Sequence, residues 1–236
     1  MMNVLTSMPA YVILLMVLSV YGLLGMGFVD CPEYSEAHCT KRIVAEGWEC
    51  IQSAENIHIY NRTVKDSPIQ EVLAESIIKA PVWRVFAVIA DYNRYDEFMP
   101  YVEESRVVKD EAGSRWVFQY LNFPWPISDR HYTIKFTDSH SRSNPPFSTI
   151  HWTLADRQRD VPQRYGEPLA LNTGSWKLRT VCGTAHTHVT YFVLTDPGGL
   201  LPSWIVNMAN SIAVPDVIEA IRGRVSHSDY DRFKPN

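Results

Sequence analysis

No Cys-x-x-Cys pair, no Gly-x-Ser-x-Gly elbow and no run of Lys and Arg occurs in this chain. The first absence argues against a structural zinc site, which needs closely spaced thiolate or imidazole ligands. The second argues against the strained serine elbow of a nucleophilic hydrolase. The third argues against nucleic acid as a partner, because a phosphate backbone is held by concentrated positive charge. The net charge of -4, from 22 basic and 26 acidic residues, points the same way. Strand-helix-strand alternation is missing too, which disfavours a doubly wound nucleotide-binding sheet. Internal repeats and low-complexity runs are absent.

Charge is absent in a second, local sense: the first 29 residues carry no charged side chain. Residues 11–29 are nearly all apolar, and a helix needs about 20 such residues to span a bilayer. A secretory signal is equally open, although the usual basic leader and a clean Ala-x-Ala site are lacking. Residues 1–29 are therefore read as a signal peptide or membrane anchor, and 30–45 as a lead-in. Residues 46–226 form the domain, and 227–236 a polar, frayed tail. The expected location is exported, periplasmic or secreted, or else tethered at a membrane face.

Cysteine is scarce, with four in all. Cys31 and Cys39 have the spacing of a small closed loop, which an exported destination permits. Cys50 and Cys182 lie in expected strands, where a cross-link and two buried thiols are both open. His186 and His188 share a strand face but lack a third nearby ligand, so no metal is expected.

What the chain does have is apolar and aromatic bulk: 46% hydrophobic residues, with 7 Trp, 12 Tyr and 9 Phe. That is enough for one large core. Residues 48–52 and 57–63 read as a hairpin around Ser53-Ala54-Glu55-Asn56. Residues 70–79 follow as a strand with Val72, Ala74, Ser76 and Ile78 on one face. Pro81 opens a helix carrying Val82, Val85, Phe86 and Ile89 at core spacing. Further strands are expected at 105–109, 114–120, 130–138, 148–154, 172–181 and 184–195, alternating as antiparallel strands do. The last element is a helix over about 202–225 with a stripe of Trp204, Met208, Ile212, Pro215, Ile218, Ile221 and Val225. Pro215 predicts a kink within it.

Several of these stretches together resemble a START domain, a lipid-transfer member of the helix-grip superfamily that also holds polyketide cyclases. The resemblance rests on Ile78-Lys79-Ala80-Pro81 leading to Val85-Phe86, and on Tyr92, Tyr95, Phe98 and Pro100 after that helix. It continues through Pro124-Trp125-Pro126-Ile127-Ser128-Asp129-Arg130 and Asn172-Thr173-Gly174-Ser175-Trp176-Lys177-Leu178. Val189-Thr190-Tyr191, Asp196-Pro197-Gly198-Gly199 and Pro202-x-Trp204-x-Val206-Asn207 complete it, over roughly residues 46–225. The resemblance implies an α+β helix-grip fold, a curved antiparallel sheet wrapped around a long C-terminal helix with an internal hydrophobic cavity. It also implies one phospholipid, sterol or related lipid as ligand, usually without a cofactor, and transient contact with a membrane. Departures are the leading apolar segment, His131 directly after Arg130, and the polar excursion over 155–171.

Candidate ligand contacts follow. Trp125, between two prolines, suits a lid or interfacial insertion, or simply packs its loop. Arg130 and Arg179 are candidates to orient a polar head, against a surface role for both. Trp152, Trp176 and Tyr191 lie on central strands as lining or as plain core. Tyr191 shares its side with Val189 and Val193, opposite Phe192. Trp204, Met208, Ser211 and Ile212 are the helix face expected against the sheet, with Met208 adaptable to an irregular ligand. No catalytic residue is assigned. The alternative is a cyclase or aromatase, for which Asp129, His131, His151, Tyr191 and Arg179 are the available acids, bases and donors.

Overall fold

The computed structural model describes residues 39–125, 127–141, 147–155, 163–199 and 201–235; the apolar segment 1–29 lies outside them. Side chains that alternate between two unlike environments favour extended backbone, and among the described residues they build ten strands. These are β1 (Glu49–Ala54), β2 (Ile57–Thr63), β3 (Gln70–Ile78), β4 (Val102–Glu111), β5 (Ser114–Leu121), β6 (Arg130–Ser141), β7 (Phe147–Leu154), β8 (Glu167–Pro168), β9 (Leu171–Thr180) and β10 (Thr187–Asp196). They join in one sheet in the order β1-β2-β3-β10-β9-β7-β6-β5-β4, antiparallel at every step, with β8 pairing parallel to β6 off this path. The β1–β2 hairpin turns on Glu55 and Asn56, both at positive φ, as a tight two-residue hairpin requires.

Among the described residues three α-helices accompany the sheet: α1 (Lys41–Ala45), α2 (Val82–Ile89) and α3 (Ser203–Arg224). Pro81 stands at the N-cap of α2, where its fixed φ and missing N–H cost nothing. Val85, Val88 and Ile89 bury the inner side of α2, and Tyr92 and Tyr95 of the following 3-10 turn join them. α3 runs through Pro215 as one continuous helix. An interior proline costs about 3 kcal/mol. Burial of Val214, Ile218 and Ile221 beside it offsets that cost, at about 1.5–3 kcal/mol for each fully buried aliphatic side chain.

The two faces of the sheet are used differently. On the inner face Ile57, Ile59, Val72, Ala74, Ile134, Trp176 and Val189 pack with α2 and the C-terminal half of α3. On the outer face Tyr60, Leu73 and Phe192 meet Ile43 of α1 and Trp48 in a second, smaller cluster. Glu75 lies among them, 1% exposed. Its carboxylate accepts a hydrogen bond from the Tyr60 hydroxyl at 3.1 Å and lies 3.2 Å from His188 Nε2. The Tyr60 oxygen in turn accepts from the Thr40 amide at 2.8 Å. Burial pushes the Tyr60 phenol up to about 12.

Two expectations need correction here. Cys39 is bonded to Cys50, not to Cys31, because the chain turns back after α1 and sets the two Cα atoms 6.3 Å apart. Cys182 is also disulfide-bonded, with its partner outside the described residues. The C-terminal stretch is not a frayed tail. Ser228–Phe233 forms a 3-10 helix in which Tyr230 is fully buried. Its hydroxyl donates to Asp91 at 2.9 Å and accepts from Arg224 Nε at 3.2 Å. Arg84 adds bonds to the Val225 carbonyl and the Asp231 carboxylate. A polar composition concealed one aromatic anchor.

Candidate functional site

Between the inner face of the sheet and the Val206–Val217 stretch of α3 the packing is incomplete, and an apolar pocket of about 200 Å³ remains. Its sheet wall follows the period of two. Tyr132, Ile134 and Phe136 come from β6, Trp152 from β7, Asn172 and Trp176 from β9, and Tyr191, Val193 and Thr195 from β10. Gln119 and Leu121 of β5 extend it to Phe123 and Ile127 of the β5–β6 loop. Val206, Ala213, Val214 and Val217 close it from α3, and Met99 to Val102 from the segment before β4.

Gly174 leaves room for a large ring on the neighbouring strand. A Cβ there would run into the Trp152 ring and the Phe192 carbonyl, so glycine leaves that space to the indole. The aromatic rings then order one another. Tyr191 lies 4.2 Å from Trp176 and 5.7 Å from Trp152, and Phe136 stacks on Tyr92 at 4.2 Å.

Among the described residues the wall carries no Asp, Glu, Lys, Arg or His. Its polar groups are mostly paired within the protein. The Tyr132 hydroxyl donates to Gln119 at 2.7 Å, and the Gln119 amide donates onward to Ser105 at 3.2 Å. Trp152 Nε1 donates to Asn172 Oδ1 at 2.8 Å, and the Tyr95 hydroxyl donates to the Ile89 carbonyl. Burial pushes the phenols of Tyr95, Tyr132 and Tyr191 well above their ordinary range. All three are neutral donors, not bases, at neutral pH.

The structure brings together Trp152, Trp176 and Tyr191 on this wall. It sends the other expected contacts elsewhere. Arg130 is 2% exposed and donates to the carbonyls of Ser128, Asp129, Pro197 and Gly198, and to the Ser128 hydroxyl. It is a loop clamp, not a head-group contact. Arg179 is exposed on β9. Met208 and Ile212 are 50% and 56% exposed, and Ser211 returns its hydroxyl to the Asn207 carbonyl at 2.9 Å. The helix therefore turns Val206, Val214 and Val217 inward instead. The Trp204 side chain lies outside the described residues. Trp125 is 92% exposed, while its loop neighbours Phe123 and Ile127 reach the pocket. Of the acid-base candidates, His131 is buried against the Tyr165 carbonyl and His151 is exposed. Asp129 accepts from the Tyr120 hydroxyl at 2.6 Å.

Sequence reasoning missed Gln119, Tyr132, Asn172, Val206, Val214 and Val217. Alternation marks Tyr132 and Asn172, since they share a strand face with Phe136 and Trp176. The helix gives no such signal, because residues 204–208 are apolar on more than one side.

The comparisons with known proteins fit this geometry. The family model described as polyketide cyclase / dehydrase and lipid transport matches residues 78–222. An uncharacterized protein of Pseudomonas aeruginosa is 27% identical over 181 residues, 76% of this chain and 86% of that protein. The phosphatidylcholine transfer protein of Bos taurus is 20% identical over 181 residues, 73% of this chain and 81% of its own. Among solved structures, a STAR-related lipid transfer protein fragment from Xanthomonas axonopodis superposes with a TM-score of 0.66 at 27% identity. That match covers 77% of this chain and 99% of that one.

Proposed function

The chain belongs to the polyketide cyclase / dehydrase and lipid transport family, and from that premise we propose that its pocket holds one hydrophobic molecule and carries it without chemical turnover. The observation that carries the reading is the apolar, aromatic hollow left between sheet and α3. Every methylene that moves from water into such a space contributes about 0.8 kcal/mol. Ring-closing chemistry calls for an acid or base beside the substrate. Of the five candidates only Tyr191 lines this wall, as a neutral phenol, while Asp129, His131, His151 and Arg179 are placed away from it, which supports carriage over cyclisation.

Loading takes place at a membrane surface. The two elements that frame the pocket also expose apolar side chains: Trp125 from the β5–β6 loop, and Met208 and Ile212 from α3. Tryptophan in particular suits the bilayer interface. The chain works outside the reducing cytoplasm, exported or tethered by residues 1–29. The Cys39–Cys50 bond and the bonded Cys182 support that location.

The test is native mass spectrometry of the protein after exposure to lipid vesicles. One hydrophobic molecule per chain is the expected result. A chain that emerges with none, while still folded by circular dichroism, overturns the reading.

A further inference from the structure

We propose that the pocket selects an uncharged lipid bearing a hydrogen-bonding oxygen, and that the Tyr191 hydroxyl is the group that meets this oxygen. The inference rests on the carrier reading and narrows its ligand class.

Three observations converge on it. The pocket wall contains no ionisable cation among the described residues, so a buried phosphate or carboxylate would lose its water with no opposite charge in return. The guanidinium closest in chain position to the wall, that of Arg130, is already spent on four backbone carbonyls and one hydroxyl. A head group that carries a phosphate or carboxylate therefore finds no positive charge inside.

The second observation concerns the polar hydrogens of the wall. Those of Tyr95, Tyr132 and Trp152 are committed to acceptors within the protein. The Tyr191 hydroxyl, by contrast, makes no hydrogen bond to another described residue. Tyr191 lines the pocket and its hydroxyl has no protein acceptor to give up, so a ligand oxygen can take that place. Third, the Tyr191 ring is held between Trp152 and Trp176, so the phenol is positioned before any ligand arrives. Because burial keeps it protonated, it can donate to an ester or ketone oxygen and can also accept from an alcohol.

The experiment uses the full chain and vesicles of phosphatidylcholine and phosphatidylglycerol that also contain cholesterol and dioleoylglycerol. After incubation the protein is re-isolated and its bound lipid weighed by native mass spectrometry. Cholesterol or dioleoylglycerol is expected on the protein, with both phospholipids absent. Tyr191→Phe, with its thermal midpoint compared to the parent, is expected to retain about five-fold less of that lipid, the effect of one lost hydrogen bond. Retention of either phospholipid overturns the uncharged-ligand inference while the carrier reading survives. Equal retention by Tyr191→Phe overturns the role given to that hydroxyl. Binding of no lipid at all overturns the carrier reading, and this inference with it. The choice of lipid class is read on the native chain, whatever the variant does.

Discussion

Glu75 shows how a single side chain ties the outer face of the sheet together. Burial pushes its carboxyl up, but bonds from His188, Thr40 and Tyr60 pull it down further, and the net position lies below the ordinary 4.5. A group whose folded pKa is depressed contributes stability that is complete above its unfolded value and lost as pH falls through the folded one. The thermal midpoint should therefore drop on acidification below about pH 4.5, and Glu75→Gln should flatten that drop. At pH 7 the same variant should lose about 2 kcal/mol, the scale of a charge-assisted bond. Parallel acid profiles for the two proteins in a calorimeter would refute the assignment. Gly174 makes a second residue-scale prediction, since an added methyl collides with Trp152 and Phe192. Gly174→Ala should cost about 1–3 kcal/mol by overpacking and should displace the Trp152 indole, visible as a shift in tryptophan emission. None of this was readable from sequence. Glu75 stood as one more polar position in an alternating strand, and Gly174 as one glycine of eleven.

At the scale of elements the sequence was more informative. The β1–β2 hairpin, the inner faces of β2 and β3, the Pro81 helix and the terminal helix all follow from periodicity and turn chemistry. The opposed placement of Tyr191 and Phe192 was equally legible, because neighbours on a strand point to opposite faces. The first half of α3 was not, since its apolar residues cover more than half of the turn and which of them face the sheet is left to tertiary packing. The disulfide was misread for a related reason: which cysteines meet depends on where the chain folds back, not on their spacing. The C-terminal 3-10 helix is the clearest correction, and it has a consequence for α3. Tyr230 joins that helix end to Asp91 and Arg224. Tyr230→Ala should lower stability by about 3 kcal/mol in chemical denaturation, as loss of a buried aromatic does. An unchanged denaturation midpoint would mean the segment is only laid against the domain.

On the scale of the whole molecule, family and fold agree with what the residues imply, a sheet packed with a long terminal helix, and among the described residues the pocket between them is lined without a charged side chain. Trp125 is exposed, and the membrane loading proposed above makes it the residue to test. Trp125→Ala should leave the unfolding free energy within about 0.5 kcal/mol of the parent, as surface substitutions usually do. The same change should weaken sedimentation with phospholipid vesicles several-fold; equal sedimentation would place the docking surface elsewhere. Arg130 has one further consequence. A single guanidinium grips Ser128, at the end of the loop bearing Trp125, and Pro197 with Gly198, at the approach to α3. The two segments thus share one guanidinium. A displacement of either segment therefore strains the bonds that hold the other.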